Sequence, residues 1–113
     1  MVTPSPHRDP TRWQVTFDAQ GITCRPAWGT SATVPWEDLQ SVEIQTTRSG
    51  PIGLDIWWLV HGLDLTLSVP AGAQGEDTFL AKLQTLEGFD NQAVNDAMAS
   101  VEEARWLVWR RGP

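Results

Sequence analysis

The stretch Val34-Pro35-Trp36-Glu37-Asp38-Leu39-Gln40-Ser41-Val42-Glu43-Ile44 decides how this chain is read. Val34 and Trp36 fall on one face of a strand end. Beyond a polar corner at Glu37-Asp38, Val42, Ile44 and Thr46 take one face, and Glu43, Gln45 and Thr47 take the other. That period of two is the mark of a half-buried strand. Trp36 and Leu39 are spaced to turn inward from either side of the corner. The corner therefore joins two strands that share one core.

Working back from the corner, Trp13-Gln14-Val15-Thr16-Phe17 alternates with Trp13, Val15 and Phe17 on one face. Asp18-Ala19-Gln20-Gly21 reads as a turn, with Gly21 able to take a positive φ. Ile22-Thr23-Cys24-Arg25 returns with Ile22 and Cys24 inward, which makes a hairpin. Pro26-Ala27-Trp28-Gly29-Thr30 is a turn bearing an aromatic, and Thr33 to Trp36 is a short third strand.

Working forward, Ser41 to Arg48 is the fourth strand and Ser49-Gly50-Pro51-Ile52-Gly53 a loop. Asp55-Ile56-Trp57-Trp58-Leu59-Val60-His61 is apolar on both faces, as in a strand covered on both sides. Gly62 breaks it. Leu63, Leu65, Leu67 and Val69 then alternate as a sixth strand that Pro70 ends. A helix is predicted from about Glu76 to Glu87, with Phe79, Leu80, Leu83 and Leu86 on one stripe. Glu76 and Asp77 suit its positive end, and Gly88 its C-terminus. Asp90 caps a second helix, with Phe89 and Val94 as a staple and Ala93, Val94, Ala97, Met98 and Val101 as its buried stripe. Ala104 to Arg110 is a seventh strand, with Trp106 and Trp109 on opposite faces; it adds at a sheet edge or closes a barrel. The fold class expected is α+β: an antiparallel β-barrel or sandwich of six to seven strands, two C-terminal helices and a final strand.

The short strands, the corner at Val34-Pro35-Trp36-Glu37-Asp38-Leu39-Gln40-Ser41-Val42, the further strands and the amphipathic helix resemble bacterial pleckstrin-homology-like domains over about residues 12 to 87. In that family seven strands precede the helix; here six do. The run Gly88-Phe89-Asp90-Asn91, with Ala97-Met98 and Trp109-Arg110-Arg111, is also similar to a set of small uncharacterised bacterial proteins, which implies no activity. The pleckstrin-homology likeness implies binding of lipid phosphates or peptides. Its phosphoinositide version has a basic first loop. Asp18-Ala19-Gln20-Gly21 carries a carboxylate and no cation, so only the peptide-binding implication is kept.

The 113 residues fit one domain, residues 12–113, after a leader over residues 1–11 whose prolines and polar groups favour disorder. A domain of this size buries roughly 65% of its unfolded surface, enough to dispense with staples. The leader has no apolar run to serve as a signal or a span. One cysteine, Cys24, excludes an internal disulfide and fits a reducing, cytoplasmic setting. The net charge is −6, with Lys82 the single lysine beside seven arginines. Nucleic acid and anionic membranes both need clustered cations, so neither is an expected partner.

Cys24, His61 and Asp64 or Asp55 supply the residue types of a nucleophile, a base and an orienter, but at no known spacing. Cys24 reads instead as a small core residue. One histidine beyond the leader and no cysteine pair leave no metal site, and no cofactor is implied. Gly72-Ala73-Gln74-Gly75 precedes two carboxylates that would repel a phosphate, so it is a capping loop. Seven tryptophans without a tyrosine point to a dry core with aromatic surface left for a partner. Trp28, Trp57, Trp58 and Trp109 are the candidate partner-binding residues. The function expected is a noncatalytic protein-interaction module, with a basic protein or a second copy of the chain as partner. An immunity- or antitoxin-like role is one form of it. The alternative is a carrier of small apolar ligands, with a pocket between sheet and helices lined by Trp57 or Trp58.

Overall fold

A computed structural model describes residues 9–48 and 55–112. The loop expected at residues 49–53 and most of the expected leader lie outside these residues. The elements are β1 (Gln14–Phe17), β2 (Gly21–Arg25), β3 (Ala32–Pro35), β4 (Ser41–Thr47), β5 (Asp55–His61), β6 (Thr66–Pro70), α1 (Glu76–Leu83), α2 (Asn91–Ala99) and β7 (Ala104–Arg110). Neighbouring strands are antiparallel and form two sheets, β1-β2-β3 and β6-β5-β4-β7. The α+β class holds, with both helices before the final strand. The barrel does not: each sheet keeps its own ladder and the strands do not close.

Alternation explains which face each strand buries. In the four-stranded sheet, Val42 lies opposite Val60, which lies opposite Leu67; Ile44, Trp58 and Val69 form the next row. In the smaller sheet, the rows are Phe17-Ile22-Val34 and Val15-Cys24-Ala32. These residues join Phe79, Leu83, Val94 and Ala97 of the helices in one apolar cluster. The two sheets meet where β6 ends. There the Val15 amide donates to the Gln74 carbonyl (2.9 Å), and the Gln74 amide donates to that of Trp13 (2.8 Å). Residues Pro10–Arg12 form a short turn alongside, with the Thr11 carbonyl accepting from Gln74 Nε2 at 2.6 Å.

The corner is a single 3-10 turn, Trp36–Asp38. Leu39 is buried behind it, and Trp36 packs half-buried against the core. Gln40 then extends the ladder on both sides of β4: its amide donates to the His61 carbonyl, and its carbonyl accepts from the Arg111 amide, each at 2.8 Å. Gly21 does not take a positive φ. It lies buried in β2, where a Cβ would overlap the Val34 carbonyl of β3. The turn before it is set by Asp18, whose Oδ1 accepts from the amides of Gln20 (2.8 Å) and Gly21 (3.1 Å).

Three expected patterns change at element ends. Leu63 and Leu65 are exposed rather than part of β6, because residues 62–65 are consumed in reversing the chain between the paired His61 and Thr66. Regular α1 stops at Leu83 and continues as turns to Gly88, which has φ +87°. Asp90 does cap α2, accepting from the Ala93 amide at 3.0 Å. That helix ends at Ala99, so Val101 falls beyond it and is exposed, as is Met98.

β7 adds at the edge beside β4 with a shift in register: Trp106 pairs with Ile44, Leu107 with Glu43, and Trp109 with Val42. Residues three apart face opposite ways in a regular strand, but one extra residue in the ladder restores the same face. Trp106 and Trp109 therefore both pack on the core side, contrary to the sequence expectation. Buried Thr46 holds the start of β7: its hydroxyl donates to the Glu102 carbonyl (2.6 Å) and accepts from the Ala104 amide (3.0 Å).

Thr46→Val leaves those groups unmatched and should lower stability by about 1–3 kcal/mol in urea unfolding. Gly75 has φ +87° and a hydrogen where a Cβ would overlap the Val15 carbonyl. Gly75→Ala should cost about 3 kcal/mol, while Gly112→Ala, in open space, should leave the urea midpoint unchanged.

Candidate functional site

A half-open cleft of about 600 Å³ lies where the β1-β2 turn, the corner, α1 and the end of β7 converge. That volume falls within the range of small-ligand sites, about 300–1,000 Å³. Its aromatic walls are Phe17, Trp36 and Trp109, and Leu39, Leu86 and Ala19 complete the apolar lining. Phe17 arrives as the last inward residue of β1. Trp36 arrives at the corner, and the register shift in β7 brings Trp109 round to this side.

The two indoles are fixed by their polar edges. Trp36 Nε1 donates to the Asp18 carbonyl at 2.7 Å, and Trp109 Nε1 donates to that of Glu87 at 2.9 Å. Phe17 meets Trp36 edge to face, with centroids 6.4 Å apart and planes at 70°. A buried or half-buried indole N–H needs an acceptor, so each bond locks one ring orientation.

Two cations stand at this aromatic wall. Lys82 Nζ lies 5.4 Å from the Trp36 ring centroid and 5.9 Å from that of Phe17, within cation–π range. Arg111 donates from Nε to the Leu39 carbonyl (2.7 Å) and from Nη2 to the Trp36 carbonyl (2.6 Å). Neither is paired with a carboxylate among the described residues; the ion pairs found there join Glu43 to His61 and to Arg105. Asp18 also lines the cleft, but its Oδ1 is engaged by its own turn.

Of the tryptophans singled out from sequence, Trp109 alone lines this cleft. Trp28 is 48% exposed, with the Arg12 guanidinium 5.7 Å above its ring. Trp57 is half-buried and meets Trp13 edge on, centroids 5.6 Å apart. Trp58 is fully buried, so it presents no surface to a partner. Its Nε1 donates to Glu76 Oε2 at 2.8 Å, and its ring meets Phe79 at 5.6 Å. These two rings fill the space between sheet and helix where a carrier pocket is expected from sequence. Phe17, Trp36, Lys82 and Arg111 are the site residues that sequence reasoning missed. The inward spacing of Phe17 and Trp36 is legible in the pattern, but nothing in it points to their meeting Lys82.

The groups of the conceivable thiol site have separate partners. Buried Cys24 directs its thiol at the Ser68 carbonyl, 3.7 Å away. His61 lies on the outer face of the larger sheet, with Nε2 2.7 Å from Glu43 Oε1 and Nδ1 3.0 Å from Thr66 Oγ1. No group of three metal-ligating side chains occurs among the described residues. No described helix is long and apolar enough to cross a membrane. No protein-family model, curated protein or solved structure matches the chain.

Burial disfavours the thiolate and pushes Cys24 up to about 11 from an ordinary value of 9.0. Between these values the unfolded chain has lost the proton and the folded chain keeps it, so stability falls as pH rises through this window and is complete below it. The drop in urea midpoint from pH 9 to 11 should be smaller in Cys24→Ala than in the parent. Thiol labelling at pH 8 should proceed only as fast as the chain opens.

Proposed function

We propose that this chain is a noncatalytic, pleckstrin-homology-like interaction module that recognises a protein through the cleft at Trp36. The observation that carries the reading is the meeting of three aromatic rings, two of them held by indole hydrogen bonds, with Lys82 and Arg111, neither paired with a carboxylate among the described residues. Aromatic and arginine side chains at a pre-formed recess are the usual anchors of an interface. The family likeness draws support from two antiparallel sheets that share a core with a following amphipathic helix.

A net charge of −6 suits a basic partner, as in the immunity- or antitoxin-like form of this reading, because opposite charge speeds encounter. The carrier reading keeps one supporting observation, the volume of the cleft, which is lined by Trp36 and Trp109 rather than Trp57 or Trp58. Apolar metabolites that shift tryptophan emission, with no protein captured, would favour it.

The immobilised protein should capture a basic protein at low salt and much less at high salt. Trp36→Ala should weaken binding of that protein by about 1–3 kcal/mol in calorimetry while the fold is retained. Capture unchanged by both salt and Trp36→Ala would rule out this site and this partner class.

A further inference from the structure

We infer that the cleft recognises the C-terminal residue of a polypeptide partner: a free carboxylate together with an apolar or aromatic side chain. The inference rests on the interaction-module reading and adds the chemistry of what is bound. It comes from charge complementarity. The chain as a whole is acidic, yet this recess gathers two cations without anionic partners among the described residues. Both are tied to Trp36, Lys82 through the ring face and Arg111 through the backbone carbonyl, so their positions are set before any ligand arrives.

Arg111 spends Nε and Nη2 on carbonyls, and its charge remains uncompensated by them. The Lys82 ammonium has three donors and makes only ring contacts among the described residues. An anion lying against both would gain charge-assisted hydrogen bonds. Apart from Asp18, whose Oδ1 is engaged by its own turn, the rest of the lining is apolar, with Phe17, Leu39, Leu86 and Trp109. A ligand must therefore carry its negative charge next to a greasy group. Within a polypeptide, Asp and Glu offer a carboxylate without one. A terminal Phe or Leu offers both on a single residue. Repulsion from the acidic body is screened beyond about 8 Å at physiological salt, and inside the cleft Lys82 and Arg111 outnumber the single carboxylate of Asp18.

The test follows the indole N–H resonances of Trp36 and Trp109 in the full chain, with buried Trp58 as an internal reference. The probes are a short basic peptide ending in Phe with a free carboxylate, the same peptide amidated, the same sequence extended past Phe by glycines, and 3-phenylpropionate. The free-acid peptide should shift Trp36 and Trp109 but not Trp58. Amidation or extension should weaken it about tenfold, the worth of a charge-assisted contact. Lys82→Met, which keeps the stem, should bring the free acid down towards the amide. Equal binding by acid, amide and extended peptide overturns the terminal-carboxylate inference and leaves the module reading standing. Phenylpropionate binding as tightly as the peptide also overturns it, in favour of a small organic acid. If no probe moves Trp36 or Trp109, the inference is overturned; the module reading then falls separately only if Trp36→Ala leaves protein capture intact.

Discussion

The hydrogen bond from the Trp58 indole to the Glu76 carboxylate is the constraint on which the layout depends. A fully buried indole N–H without an acceptor would cost a large fraction of a domain's marginal stability. The acceptor comes from the first residue of α1, so the helix must start directly over the centre of the larger sheet. The other oxygen of Glu76 accepts from the Gly72 amide at 2.8 Å, which ties down the connecting loop. The same loop carries Gln74, which bonds to the backbone of the smaller sheet. One carboxylate thus sets the helix, the loop and the relation between the sheets. Lys82 follows six residues later, a rise of about 9 Å along the helix, which carries it to the far end beside Phe17 and Trp36.

Legibility in the sequence follows the range of the interactions. The strand faces around Val42, Ile44 and Thr46, the first hairpin, the inward Leu39 and the Asp90 cap depend on neighbours two to four positions away, and each is readable. Trp109 is not readable in the same way, because its orientation depends on one unpaired residue in a ladder with β4. Leu63 and Leu65 fail for a related reason: alternation continues through residues that the reversal between His61 and Thr66 requires. The cleft was the least legible feature. Its residues come from positions 17 to 111 on separate elements, and no local spacing records that they meet.

Charge is segregated in a way that composition conceals. The acidic total comes from carboxylates spread over many surfaces, while several of them serve the backbone: Asp18 in a turn, Glu76 in a loop and Asp90 at a helix start. Glu43 is held by His61 and Arg105 on the outer face of the larger sheet. Lys82 and Arg111 escape this neutralisation because their nearest groups are rings and carbonyls. A negative total and a locally positive recess are therefore compatible.

The extra residue in β7 has a consequence for how sequence change acts on this protein. Substitutions at Leu107 or Val108 alter one side chain each, whereas straightening the bulge at unchanged length would restore strict alternation and turn Trp109 to the opposite side of the sheet. The recess would lose a wall although every amino acid that lines it survived. Among divergent copies of such a chain, the partner that Trp109 takes on β4 would then be a better guide to a shared binding habit than the percentage of identical letters.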